Sequence, residues 1–149
     1  MMTENLLMLW EEGRTRFTKL LDVVAEDDLP KKLSPSPNSI GFLIRHIGDV
    51  EMLFAKNVFQ LKEIQVHAKT VIAQKDTGEW ITLAELKEYV HQSATVLRKA
   101  ILQVKEESWE QSITTKEFGT KTMAEALGRI VTHTAYHAGQ LGIILKYGQ

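Results

Sequence analysis

A chain of 149 residues, 44% of them hydrophobic, is the size of one compact domain and too short for two of ordinary size. Eighteen Lys and Arg against nineteen Asp and Glu leave a net charge of −1. Spread along the chain, these charges offer no broad field to phosphate backbones or anionic lipid and argue against nucleic acid or membrane as partner. Zero cysteines exclude a disulfide framework, a thiolate metal site and a cysteine nucleophile, so any metal must be held by nitrogen and oxygen ligands.

Met1 to Asn5 carries no basic stretch, and the apolar cluster Leu6 to Trp10 runs at once into Glu11, Glu12 and Arg14, unlike a secretion signal. No apolar run reaches the ~18 residues of a membrane span. The expectation is a soluble, cytoplasmic protein.

Leu6, Trp10, Gly13, Phe17, Leu20 and Val24 recur at the spacing of one helix face and predict a first helix over about residues 4–25. The stretch that follows contains Pro30, Pro35 and Pro37 and reads as a loop. Asn38 or Ser39 can then cap a second helix over about 39–60, with Ile40, Leu43, Ile47, Val50 and Phe54 on its buried face. From Leu61 to Trp80 the pattern weakens, and His67 falls in no clear element. Thr82-Leu83-Ala84-Glu85 has the form of a capping box and starts a third helix with the stripe Leu83, Leu86, Val90, Ala94, Leu97, Ile101 and Val104. Residues 106–120 fit a short hairpin or loop. A second capping box, Thr122 to Glu125, opens a fourth helix that reaches about Lys146, with Gly148 as its C-cap candidate.

Four amphipathic helices and no convincing strand predict an all-α fold, a four-helix bundle filling residues 1–149 as one domain. The links at 61–81 and 106–120 exceed the 2–8 residues usual between antiparallel neighbours. Each is expected to be a crossover or a functional loop.

The chemistry lies in the histidines. His133 and His137 stand at i and i+4, which places both imidazoles on one side of the fourth helix, about 40° apart and within reach of one ion. His46 lies on the inward stripe of the second helix, near Phe42 and Val50, whereas Arg45 is turned about 100° away. A lone histidine on an apolar face is ordinarily a hydrogen-bonded core residue. Three neutral imidazoles on the inward sides of two helices instead favour a shared ligand, because without one several ring nitrogens need other partners. Glu88 and His91 point away from the third helix's stripe and read as a solvated face. Two residues could orient the imidazoles: Gln140, on the line of His133, and Asp49, one turn beyond His46. A packing-edge amide and a solvated carboxylate are the plainer readings of these two.

Ser39-Ile40-Gly41-Phe42-Leu43-Ile44-Arg45-His46-Ile47-Gly48-Asp49-Val50-Glu51 and His133-Thr134-Ala135-Tyr136-His137-Ala138-Gly139-Gln140-Leu141 resemble the second-helix and fourth-helix signatures of the DinB/YfiT-like family. Length and helix order match over nearly the whole chain. The resemblance implies a four-helix bundle, a divalent metal such as zinc or nickel on the residues matching His46, His133 and His137, and a homodimer. It also implies chemistry with low-molecular-weight thiols, since characterised members include thiol-dependent transferases and isomerases.

Three histidines leave a coordination position open, and an ion there can lower the pKa of water or a thiol, which suits hydrolysis and thiol transfer alike. No carboxylate lies between His133 and His137, so the zincin pattern is absent. Val131, Ala135, Ala138, Gly142 and Leu145 form an opposite stripe on the fourth helix, readable as a dimer contact or as the packing of a central helix. The leading expectation is a metal-dependent S-transferase or hydrolase acting on a small molecule. The rival is a non-catalytic, stress-related bundle that binds a metal or small ligand.

Overall fold

In the computed structural model, which describes residues 1–149, four long helices carry the fold: α1 (Met2–Val23), α2 (Ile40–Leu53), α4 (Leu83–Leu102) and α5 (Met123–Tyr147). A short helix, α3 (Lys69–Ala73), lies in the link after α2. A two-stranded antiparallel hairpin, β1 (Ser112–Thr115) with β2 (Gly119–Thr122), precedes α5. None of the helices is long and apolar enough to cross a membrane.

Local chemistry accounts for most of the ends. Ser39 accepts from Phe42 N at 3.1 Å and starts α2, which continues past Leu53 as a π-helical turn, Phe54–Val58. Thr122 and Glu125 form the expected reciprocal cap of α5, each side chain 3.1 Å from the other residue's backbone N. The expected cap at Thr82 does not form. Glu26 reaches across from the α1–α2 loop to accept from Leu83 N at 3.1 Å, so a tertiary contact replaces the local one. Gly148 ends α5 in an extended conformation, and its value there is close approach: a Cβ would stand 2.6 Å from Ile144 O and 2.9 Å from Lys32 O.

Two apolar clusters set the helix directions. The first joins Leu7 and Trp10 of α1, the end of α2, Leu97 to Ile101 of α4 and Met123 to Ile130 of α5. The second joins Phe17 and Leu21, the start of α2, Leu86 and Val90, and Ala138 to Ile144. Hence α1 and α5 run one way, and α2 and α4 the other. α1 packs mainly on α5 and α2 mainly on α4, with α2–α5 and α1–α4 contacts closing the ring. Neighbouring α2 and α4 are parallel, so the chain must return about 30 Å, the length of a 20-residue helix, before α4 can begin. That explains the long link 59–82: it is the crossover, and it carries α3 along the flank of α2. The second long link joins α4 to the diagonally placed α5 through the hairpin.

The stripe Val131, Ala138 and Leu145 is covered by its own chain. Val131 closes on Gly13 of α1, where a Cβ would stand 2.5 Å from Val131 Cγ1, Ala138 is buried, and Leu145 packs on the second cluster. This is the packing of a central helix, with only Ala135 of the five exposed.

Charge is also buried. Leu7, Trp10, Arg14, Phe17 and Leu21 form the inner face of α1. Arg14 on that face donates to both carboxylate oxygens of Glu51, Nε at 2.8 Å and Nη2 at 2.9 Å, and Nη2 also meets Val90 O at 2.8 Å. Ser93 Oγ completes the set on Glu51 at 2.8 Å. Removing one partner would strand the other charge in the core, so Arg14→Ala is expected to cost about 3–5 kcal/mol in urea denaturation. A cost below about 1 kcal/mol would show that Glu51 finds water or protonates instead.

Candidate metal centre

α5 carries His133 and His137 one turn apart with ring centroids 4.5 Å from each other, and α2 brings His46 to 5.1 Å and 5.0 Å from them. One nitrogen from each ring lies within 4.8 Å of the other two. His46 Nε2 and His133 Nε2 are 3.2 Å apart. Two nitrogens sharing a tetrahedral ion at ~2.0–2.1 Å would stand about 3.3 Å apart, so the separation suits a common ion. All three rings are half-buried, with Phe42 stacked on His46 and Tyr136 edge-on to His137.

Hydrogen bonding settles which nitrogen two of the rings present. His46 Nδ1 is 3.0 Å from Thr70 Oγ1, and that hydroxyl lies 2.7 Å from Asp49 Oδ2. An ionised carboxylate only accepts. The single Thr70 hydroxyl proton therefore goes to Asp49, Thr70 Oγ1 accepts from His46 Nδ1–H, and the Nε2 lone pair of His46 faces the cluster. Likewise His137 Nδ1 is 2.7 Å from Gln140 Oε1, an acceptor, which leaves Nε2 free. His133 Nδ1 is buried with no partner in the protein. The donor set fits a divalent ion: three imidazole nitrogens converge, and two rings are held from behind in the tautomer that ligation needs.

Asp49 is wholly buried, and every lone pair is used. Arg45 Nε (2.8 Å) and the Tyr89 hydroxyl bond to Oδ1, and Thr70 N (2.9 Å) joins its own hydroxyl on Oδ2. Arg45 also stacks its guanidinium 3.8 Å from the Tyr89 ring centroid and donates to His67 O at 2.7 Å. Burial, reinforced by the Asp49 carboxylate, pushes the Tyr89 hydroxyl above its ordinary pKa, so it remains a donor. Gly48 makes room for that ring: a Cβ there would stand 2.6 Å from Tyr89 Cε1.

His46, His133 and His137 meet. Asp49 reaches His46 through Thr70, and its charge acts on the ring as a smaller direct pull. Gln140 supports His137 rather than His133, because a side chain leaning back along the helix meets the residue one turn before it. His67 is exposed and contributes its carbonyl alone, and His91 is exposed on α4. Thr70, Tyr89 and the role of Arg45 escaped the sequence reading. The Arg45 to Asp49 spacing of four was the one local signal, and nothing local marks Thr70 as a partner 21 residues away.

Burial lowers all three imidazoles: His46 to about 4, His133 to about 3, and His137 in the same direction against its bond to Gln140. Neighbouring histidines add to the shift at His46 and His133. Protons therefore compete for these nitrogens at lower pH than the 6.5 of an ordinary imidazole. The unfolded chain takes up protons first as pH falls, so metal-free protein should hold its full stability above pH 6.5 and lose it progressively toward pH 4. Urea midpoints across that range test this, and a flat profile would mean the rings are solvated.

Fold and geometry together define a class: a four-helix bundle with three histidine nitrogens converging between α2 and α5. The DinB superfamily model matches residues 9–141, and the chain belongs to that superfamily. Among solved structures it is similar to the mycothiol-dependent maleylpyruvate isomerase (TM-score 0.72, 18% identity, 94% of this chain covered). A histidine-to-alanine mutant of that isomerase gives a TM-score of 0.68 at 18% identity, again over 94% of this chain. This chain spans 60% of the isomerase's length, and at that identity the likeness is one of fold. No curated protein matches the sequence.

Proposed function

We propose that this protein is a metal-dependent enzyme of low-molecular-weight-thiol chemistry, an S-transferase in kind, with His46, His133 and His137 as ligands to zinc or nickel. The observation that carries the reading is the convergence of the three rings with Thr70 and Gln140 behind two of them. A divalent ion held by three histidines supplies Lewis acidity at an open coordination position, which lowers the pKa of a thiol or water bound there.

The chain's own residues favour the thiol over water. Asp49 is the carboxylate bonded into the site, and its four hydrogen bonds leave no oxygen free to take a proton. A thiol, with an unperturbed pKa near 8.5, needs far less help to ionise than water near 15.7. His46 and His137 donate from Nδ1–H to Thr70 Oγ1 and Gln140 Oε1 and serve as fixed ligands. The thiol dependence of the similar isomerase points the same way but belongs to that protein. Hydrolysis is the second reading, since water can occupy the same position.

The test is a conjugation screen with low-molecular-weight thiols and electrophiles, run beside the His133→Ala variant. Thiol-dependent turnover lost in the variant supports the proposal. Metal binding with no turnover for any thiol would favour a non-catalytic binding bundle. A cytoplasmic address and a homodimer complete the proposal. Sedimentation giving only a 17 kDa species would remove the dimer.

A further inference from the structure

One helical turn from His46 and His137, at Leu43 of α2 and Gln140 of α5, lies a pocket of about 140 Å³ whose wall is Leu33, Leu43, Ile143 and Ile144. Its polar lining is Ser36, Asn38 and Gln140. Gln140 belongs to the pocket and to the site at once. Its Oε1 faces His137 Nδ1 at 2.7 Å, while its Nε2 amide has no partner in the protein and is not sealed from solvent.

Three features define what fits. A lining in which four of seven side chains are aliphatic favours an apolar group, and the volume is close to the ~150 Å³ of an apolar cavity that holds benzene. The amide cannot turn over while His137 keeps a proton on Nδ1, so the free end of Gln140 is a donor and requires an acceptor from the ligand. No charged side chain lines the pocket, so nothing there offsets the desolvation of a carboxylate, and a neutral carbonyl is the matching acceptor.

We propose that this pocket is the substrate subsite and takes a neutral carbonyl compound with an apolar group no larger than benzene, its carbonyl oxygen accepting from Gln140 Nε2. This deepens the function proposed above and rests on it for the tautomer of His137. The carbonyl is thereby held by the side chain that supports His137, and the aliphatic wall sets the size limit. Ile143, half-exposed on the pocket wall, is then a specificity residue.

The probes are acetophenone, ethylbenzene (the same carbon skeleton without the carbonyl oxygen) and 2-acetonaphthone, titrated by ligand-observed NMR. Zinc binding is measured separately on each variant. On zinc-loaded protein, acetophenone should bind about three- to tenfold more tightly than ethylbenzene, the worth of one hydrogen bond, and 2-acetonaphthone should not compete. Gln140→Glu keeps an oxygen toward His137 and removes the donor, and should abolish the preference for acetophenone over ethylbenzene. Ile143→Trp, which fills the pocket from its exposed wall, should abolish binding of both. The size limit and the Ile143→Trp block are read with and without zinc, so a chain that takes up no zinc still tests the pocket. Equal binding of all three probes, acetophenone binding that survives Ile143→Trp, or zinc uptake with no probe binding would overturn the proposal.

Discussion

Replacing His133 with alanine is expected to reduce retained zinc from about one equivalent to below about a tenth after desalting, while the fold survives. His133 is the ring with an Nε2 only 3.2 Å from that of His46, so its loss leaves two nitrogens and opens the site to water. His46→Ala and His137→Ala should behave alike. His91→Ala and His67→Ala, both at exposed positions away from the cluster, should keep a full equivalent. Circular dichroism on each variant separates lost ligation from lost folding. Undiminished zinc in His133→Ala would place any bound ion elsewhere.

The second large effect concerns Thr70. Thr70→Val keeps the shape of the side chain and removes the oxygen that accepts from His46 Nδ1 and the hydroxyl that donates to Asp49. His46 is then free to carry its proton on Nε2, the nitrogen that ligation requires bare, and Asp49 loses one of four partners. Zinc affinity is expected to fall about 10–100-fold, the usual cost of losing such a supporting contact. Thr70→Ser should restore most of it. Nitrogen chemical shifts of His46 in the metal-free protein provide a direct readout: Nδ1–H in the parent and in Thr70→Ser, mixed tautomers in Thr70→Val. If Thr70→Val keeps the parent affinity while Thr70→Ser loses it, the methyl packing matters and the relay does not.

The four long helices were legible because their apolar residues repeat at helical spacing and because Ser39 and Thr122 carry their caps. On α1 the expected Trp10, Phe17 and Val24 are buried and Leu6 and Leu20 pack half-buried beside them, but the deeper Leu7 and Leu21 were missed, because a buried Arg14 does not look like core until Glu51 is known to meet it. The helix directions were not legible. They follow from which ends share an apolar cluster, and only that knowledge turns the long 59–82 link into a return path along α2.

The same contrast holds within the site. His133 and His137 sit four apart on one helix, and His46 lies on an inward stripe, so their approach could be read from periodicity. Asp49 lies three residues beyond His46, which was enough to nominate it but not to find its route through Thr70. Thr70 reaches the site only because the crossover passes there, and Tyr89 only because Gly48 leaves it room. Contacts made across 20 or 40 residues leave no period in the sequence.

The most direct test is elemental analysis of protein purified without an affinity tag, before and after metal addition at about pH 7.5, where imidazoles are neutral. The account predicts about one equivalent of a divalent transition ion, held through desalting and lost in His133→Ala. Less than about a tenth of an equivalent after metal addition would contradict it and leave the three histidines as a packed cluster of neutral rings.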